Sequence, residues 1–115
     1  MSAGNYTWVM PQGTYQEKIF TYSDPNGAPI NLTGMTARMQ IRPYKGSADV
    51  LLTTTTQDGG ITLGGTSGTV KVVIKTAKTI LITSDGYYDI ELIDADSEVD
   101  RFIEGMVKLN AEVTK

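Results

Sequence analysis

The stretch "INLTGMTARMQIR", residues 30–42, joins a turn signal to a strict alternation of apolar and polar residues. Asn31 and Gly34 favour the turn, and the alternation predicts a strand from Thr36 to Arg42. Successive side chains of a strand point to opposite faces. The apolar face of this strand would carry Ala37, Met39 and Ile41. The polar face would carry Arg38, Gln40 and Arg42, and we expect it to face solvent or a partner.

Alternating segments separated by glycine and proline turns continue along the chain, for example in "TVKVVIK" and "YYDIELI". No stretch of a dozen residues has the three-and-four spacing of an amphipathic helix. The segment "TAKTILITSDG" has the length of one helical turn crossing between two sheets. These features predict an all-β fold, a single antiparallel β-sandwich of about eight strands with at most a short helical turn.

The alternation also predicts which side chains form the core. They are Ala37, Met39, Ile41, Val70, Val72, Ile74, Tyr88, Ile90, Leu92, Ile103, Val107 and Leu109. Gly105 falls on the same face and indicates either a bulge or a close approach of two backbones. The spacing of Gly86 and Tyr88 matches the tyrosine corner of immunoglobulin-like sandwiches, where the tyrosine hydroxyl bonds a backbone group.

Length and charge limit the classes of protein to consider. The chain has 115 residues and a net charge of −3, with lysine and arginine scattered along it. We therefore predict one domain, residues 1–115, that binds no nucleic acid. No apolar run is long enough for a membrane span, so we expect no membrane partner. Residues 1–11 would be an N-terminal interaction arm or an edge strand.

The chain offers few side chains for enzymatic catalysis, because it contains no histidine and no cysteine. This composition excludes histidine-dependent nucleophilic catalysis and thiolate or imidazole metal ligands. Asp89 and Glu91 share a strand face, but two acids at this spacing are usually plain surface. The run "DADSEVD" lacks the glycine and the glutamate of a calcium loop and is better explained as a hairpin tip. We predict no catalytic activity, no metal and no cofactor.

The N-terminal segment "NYTWVM" is the most distinctive apolar feature of the sequence. Tyr6, Trp8 and Met10 share one face of it if it is extended. Trp8 would either close the open end of the sandwich or pack on a neighbouring subunit, and the sequence leaves both roles open.

Three segments carry a family resemblance: "DPNGAPINLTGMTARMQIRP", "GYYDIEL" and "EGMVKLNAEVTK". Together they resemble small proteins encoded by tailed bacteriophages and prophages. The first segment also resembles the N-terminal, immunoglobulin-like domain of phage baseplate upper proteins, which attaches a host-binding protein to the tail. The resemblance reaches from about Tyr15 to the end of the chain. A virion protein of this kind would be made in the cytoplasm of the bacterial host and incorporated into the particle.

The resemblance implies a non-enzymatic structural role in capsid decoration, the neck, or a tail or baseplate adaptor. The partners would be other virion proteins, and we expect a homo-oligomer or a symmetric multi-copy assembly. The candidate interface residues are Tyr6, Trp8, Met10, Arg38, Gln40 and Arg42. The alternative function is a carbohydrate-binding module whose stacking residues would be Trp8, Tyr15, Tyr22 and Tyr87.

Overall fold

The structure is a computed structural model that describes residues 4–110. This part of the chain forms nine strands, one short helix and one 3-10 turn at Gly65–Ser67. In chain order the elements are β1 (Gly4–Asn5), β2 (Trp8–Pro11), β3 (Gln16–Thr21), β4 (Thr36–Arg42), β5 (Leu52–Thr55), β6 (Ile61–Leu63), β7 (Thr69–Ile74), α1 (Thr76–Thr79), β8 (Gly86–Ile93) and β9 (Val99–Asn110). The predicted all-β fold is confirmed, and the described residues contain one helical element more than expected, the 3-10 turn.

The strands form two sheets that enclose one core. The large sheet has the order β1–β9–β8–β4–β5, with β2 also paired to β9, and the small sheet has the order β3–β7–β6. The expected antiparallel pairing needs one correction, because β1 and β2 run parallel to β9.

The core agrees with the predicted set at ten of its twelve positions, and Ile103 and Leu109 are only partly buried. Phe102 is buried as well, at 7% exposure. The ladder between β8 and β9 shifts register there: Ile90 lies opposite Ile103, whereas Glu91 lies opposite Arg101. Phe102 is the extra residue of this bulge, and a bulge breaks the alternation on which the prediction depended.

At Gly105 the backbone of the N-terminal segment lies very close to β9. A Cβ atom at this position would lie 2.0 Å from the carbonyl oxygen of Tyr6. The same oxygen accepts a hydrogen bond of 2.7 Å from the Tyr88 hydroxyl. Of the two roles expected for Gly105, the close backbone approach is therefore the one observed. Tyr88 is buried and bonds a backbone group, as expected, but its partner is distant in sequence.

The helical turn α1 connects the two sheets, as the sequence predicted. It follows β7 of the small sheet and precedes β8 of the large sheet. The buried Thr79 hydroxyl donates to the carbonyl oxygen of Thr14 at 2.7 Å, which ties α1 to the turn after β2. Across residues 4–110, the helices are too short to cross a lipid bilayer.

Ile90→Ala tests the register of β8. Ile90 is fully buried and lies opposite Met39 and Ile103. The substitution should lower the free energy of unfolding by about 2–5 kcal/mol, because it leaves a cavity in the core. Urea denaturation would measure the change. The matched control is Ile19→Ala, since Ile19 is 55% exposed and should change stability by no more than about 0.5 kcal/mol. Equal effects at both positions would contradict this register.

Gly105→Ala tests the close approach of the N-terminal segment. The new methyl group would overlap the Tyr6 backbone, so we expect a loss of about 1–3 kcal/mol. The control is Gly4→Ala, where the added Cβ would meet Ile103 at an ordinary 3.7 Å. Thermal unfolding of both variants would measure the difference. Gly105→Ala would be tolerated as well as Gly4→Ala if the segment did not lie against β9.

Candidate interaction surface

The outer face of the large sheet brings together polar side chains from β4, β8 and β9. The predicted alternation of β4 is confirmed, because its apolar residues are buried and its polar residues lie on the outer face. Cross-strand register then places charged or polar side chains side by side. The neighbouring pairs are Arg38–Glu91, Gln40–Asp89, Arg42–Tyr87 and Asp89–Glu104. We call this area the β4–β8–β9 face.

Arg38 and Glu91 form the shortest ion pair on this face. The Nε atom of Arg38 lies 2.7 Å from Oε1 of Glu91, and the two side chains are 49% and 20% exposed. A pair this open to water contributes little to stability. Its geometry does hold the guanidinium group above the sheet, where about half of the side chain remains accessible.

Arg42 has a structural contact of its own on the β4–β8–β9 face. Its Nη1 atom donates to the carbonyl oxygen of Ser47 at 2.5 Å, and its Nη2 atom donates to Oε1 of Gln40 at 2.9 Å. These bonds hold the loop between β4 and β5 against the end of the sheet. Arg42 and Gln40 therefore shape the surface, whereas Arg38 is the most accessible of the three.

A groove of ≈ 230 Å³ lies between this loop and the strands β8 and β9. Tyr44 projects from the loop with 61% of its surface exposed. The Lys45 amino group lies 5.9 Å from the centre of the Tyr87 ring, a distance suited to a cation–π contact. The wall on β8 and β9 carries Asp89, Arg101 and Glu104. The groove thus combines aromatic surface with charges of both signs.

Asp89 is the most perturbed acid of the groove. It lies directly opposite Glu104 in the ladder, and like charges in this arrangement repel. Arg101 offsets the repulsion with contacts of 3.5 Å to each carboxylate. Partial burial raises the pKa of Asp89 above its usual value, and the negative charges of Glu91 and Glu104 raise it further. Folding therefore disfavours the ionised form of the Asp89 carboxyl group.

The second part of the predicted interface, on the N-terminal segment, needs correction. Trp8 is 3% exposed and Met10 is fully buried, while Tyr6 is partly buried against the same core. The Trp8 ring packs edge-on against Phe20 and Tyr88, each with centroids 6.1 Å apart. A partner docking on the folded chain would not reach Trp8 or Met10. Of the two roles expected for Trp8, the structure shows closure of the chain's own core.

The four aromatic residues of the carbohydrate alternative do not share one surface. Trp8 is in the core, and Tyr22 is partly buried with its hydroxyl 2.6 Å from Asp100. Tyr15 is 55% exposed just before β3 of the small sheet, whereas Tyr87 lies on the outer face of the large sheet. Only Tyr87 of this set lines the groove.

The predicted interface lacks four residues that the structure places at the groove: Tyr44, Lys45, Arg101 and Glu104. Pro43 and Gly46 indicate a turn directly after β4. A turn there can bring Tyr44 and Lys45 back toward the outer face of the sheet, so this signal could have identified both residues. The alternation of β9 could not show which sheet face Arg101 and Glu104 occupy, because the bulge at Phe102 lies between them and shifts the register.

Within residues 4–110, no group of three or more acidic side chains is arranged to hold a metal ion. No protein-family model matches the chain, and no curated protein sequence matches it.

Asp89→Asn tests the electrostatics of the groove. The pKa of Asp89 is raised in the folded state, so the protonated carboxyl favours folding and this stability is lost as pH rises through the folded pKa. The amide should therefore raise Tm at pH 7, with the gain disappearing near about pH 3. Differential scanning calorimetry across this range would measure it.

The contrasting variant is Glu91→Gln, which removes the pair with Arg38 and should leave Tm unchanged or slightly lower. A lower Tm for Asp89→Asn at pH 7 would mean that Arg101 outweighs the repulsion from Glu91 and Glu104.

Proposed function

We propose that this protein is a non-enzymatic structural component of a tailed-phage particle that acts through protein–protein contacts. Its partners are other virion proteins, present in a symmetric multi-copy assembly, and the protein is made in the host cytoplasm before incorporation. Capsid decoration, the neck and a tail or baseplate adaptor are all compatible with this role. The contact surface that we assign to it is the β4–β8–β9 face.

The observation that carries the proposal is the position of the three segments that resemble tailed-phage proteins. "TARMQIR" forms β4, "GYYDIEL" lies in β8 and "EGMVKLN" forms the end of β9. These strands are neighbours in one sheet, in the order β9–β8–β4. The resembling residues thus supply both the core under this sheet and its outer face.

The chemistry of the β4–β8–β9 face suits recognition of a protein. Arg38 is positioned by Glu91 and half exposed, so a partner carboxylate can share its guanidinium group. Tyr44 and Tyr87 offer aromatic surface in the groove, toward the Arg42 end of β4, and tyrosine and arginine are enriched in protein interfaces. The mixed charges favour a specific orientation more than high affinity.

Arg38→Ala and Tyr44→Ala together should reduce incorporation into particles that lack the wild-type protein. The expected reduction is about tenfold or more, since the two changes remove an accessible cation of the face and the most exposed ring of the adjoining loop. Incorporation would be measured by quantitative mass spectrometry of purified particles. Raised salt should weaken the remaining incorporation of a Tyr44→Ala single variant, because the Arg38 contact is electrostatic.

The matched control is Lys71→Ala on the small sheet. Lys71 is 45% exposed and pairs loosely with Glu17 at 3.7 Å, so its loss resembles the loss of Arg38 in charge and exposure but not in location. Circular dichroism would establish that each variant is folded. Normal incorporation of the double variant would overturn the assigned face, and absence of the wild-type protein from particles would overturn the virion role.

Carbohydrate binding is the second candidate, now centred on the groove rather than on four separate aromatic residues. Tyr44 and Tyr87 line it together with Gln40 and Asp89, and aromatic rings flanked by polar groups can stack on and hydrogen-bond a sugar. Titration with host polysaccharide would separate the candidates. Saturable binding that Tyr87→Ala abolishes, with incorporation unaffected, would favour the carbohydrate function.

A further inference from the structure

The turn between β3 and β4 carries an asparagine followed directly by a glycine. Its sequence is "SDPNGAP", residues 23–29, and Ser23 and Pro29 form an isolated antiparallel bridge that closes it. Asn26 and Gly27 are both exposed. A Cβ atom built on Gly27 would meet nothing within 4 Å. The peptide group that joins these two residues therefore lies open to water.

Hydrogen bonds to one aspartate hold this turn. Oδ1 of Asp24 accepts from the backbone N–H groups of Asn26 and Ala28 at 2.9 and 3.0 Å. The carbonyl oxygen of Asp24 accepts from the Gly27 N–H at 2.9 Å. The side chain of Asn26 takes no part in this arrangement and makes no hydrogen bond within residues 4–110. Its amide group is therefore held by nothing in the described part of the chain.

The turn between β8 and β9 repeats this hydrogen-bonding pattern. Oδ1 of Asp94 accepts from the N–H groups two and four residues further on, at 2.9 and 3.0 Å. The Asp94 carbonyl oxygen accepts from the Ser97 N–H at 3.0 Å. Ser97 has a positive φ of 64°, as Gly27 has at 85°. In this second turn Asp96 and Ser97 stand where the first turn has asparagine and glycine.

We propose that Asn26 is a site of spontaneous deamidation. The Gly27 backbone nitrogen loses its proton to water or hydroxide and attacks Cγ of Asn26. A bond forms between these two atoms, and the side-chain amide nitrogen leaves as ammonia. Water then opens the resulting succinimide ring at either of its carbonyl groups. The products are aspartate and isoaspartate, in which the chain continues through the former side-chain carbon.

The identity of both residues makes this pair reactive and its counterpart in the second turn unreactive. Gly27 has no Cβ atom, so its nitrogen approaches Cγ of Asn26 without hindrance. Ser97 carries a Cβ atom at the matching position. Aspartate side chains are ionised at neutral pH, and a carboxylate such as that of Asp96 resists attack by a nucleophile. The same turn geometry thus supports the reaction in one sequence only.

Two further acidic residues within residues 4–110 precede a glycine, but contacts hold both carboxylates. Oδ1 of Asp58 accepts from the Gly60 N–H at 2.8 Å, and its Oδ2 pairs with Lys78 at 3.2 Å. Oδ1 of Asp85 accepts from the Leu109 N–H at 2.8 Å. These side chains would have to leave their partners before a ring could close.

The other three asparagines of the chain precede residues that have a Cβ atom. Asn31 precedes leucine, and its Oδ1 accepts from the Thr33 N–H at 3.0 Å and from the Thr33 hydroxyl at 2.6 Å. Asn5 and Asn110 lie in β1 and β9 and precede tyrosine and alanine. Asn26 is therefore the asparagine with the least hindered following nitrogen.

One hydrogen bond has to open before the ring can close. The Gly27 N–H donates to the Asp24 carbonyl oxygen, and this bond closes an exposed turn. Local opening of exposed turns costs little free energy compared with opening of core strands. Deamidation of the folded chain should therefore be slower than that of an unfolded peptide with the same sequence, but it should proceed without global unfolding.

The modification changes the charge and the length of the turn. Each product adds one negative charge to a chain whose formal net charge is −3. The new carboxylate shares the turn with Asp24, and like charges repel. Isoaspartate also adds one carbon atom to the backbone path. The turn contributes no residue to the groove of the β4–β8–β9 face, so this inference does not rest on the proposed function.

Peptide mapping by mass spectrometry, after incubation of the folded protein at mildly alkaline pH, measures the reaction. Deamidation at Asn26 should exceed that at Asn31 by about tenfold or more, because Gly27 lacks a Cβ atom. The rate should rise with pH, since the attacking nitrogen must lose its proton. An isoaspartate-specific methyltransferase should label the aged wild type but not an aged Asn26→Gln variant, because isoaspartate arises only through the ring.

Asp24→Ala tests whether the turn controls the rate. The substitution removes the side-chain hydrogen bonds to Asn26 and Ala28, so the turn should open more often and deamidation at Asn26 should become about threefold faster or more. The matched control is Asp94→Ala, which removes the same two bonds from the second turn and should leave the rate at Asn26 unchanged. Circular dichroism would establish that both variants are folded.

The double substitution Asp96→Asn, Ser97→Gly places the reactive pair in the second turn. Position 96 should then deamidate within about threefold of the rate at Asn26, because both turns have the same hydrogen bonds. Absence of isoaspartate from the aged wild type, or equal rates at Asn26 and Asn31, would overturn the proposal. Equal acceleration by Asp24→Ala and Asp94→Ala would overturn the role assigned to the turn.

Discussion

The N-terminal segment can lie against β9 only because residue 105 has no side chain. The Tyr6 carbonyl occupies the space that a Cβ atom would need, and the Tyr88 hydroxyl binds the same oxygen. This one contact fixes the register that carries Trp8 and Met10 into the core. Without them the space between Phe20 and Tyr88 would be open to water, so the closure of the sandwich depends on a glycine in its last strand.

The outer face of the large sheet follows a different principle from the core beneath it. Cross-strand neighbours on this face carry opposite charges at Arg38 and Glu91 but like charges at Asp89 and Glu104. Arg101 lies between the two like charges at a distance too long for strong hydrogen bonds. Glu91 thus has a close cationic partner of its own, whereas Asp89 and Glu104 share Arg101 at longer distances beside the groove. A partner that approaches the groove therefore meets two carboxylates, those of Asp89 and Glu104, that share one arginine.

Much of the fold could be read from the period of two in β4, β7 and β8, because each has one buried face and no irregularity. The bulge at Phe102 could not, since one inserted residue reverses the faces without a distinctive local sequence. The parallel direction of β2 was equally hidden, because strand direction depends on the partner and not on the strand. Trp8 remained ambiguous for a chemical reason: an indole ring is buried similarly by its own chain and by a neighbour. The polar residues of β4 were placed correctly, whereas their neighbours on β9 required the register beyond the bulge.

The parallel pairing of the first and last strands has a mechanical consequence. Gly4 lies beside Ile103 and Pro11 beside Asn110, so a force that pulls Gly4 and Asn110 apart acts along both strands in opposite directions. The hydrogen bonds between them lie across that force and are loaded together in shear, rather than opened one after another as in an unzipping hairpin. Tension transmitted through the chain would therefore meet its greatest resistance at this terminal pair, with the interlocked Tyr6 and Gly105 near its middle.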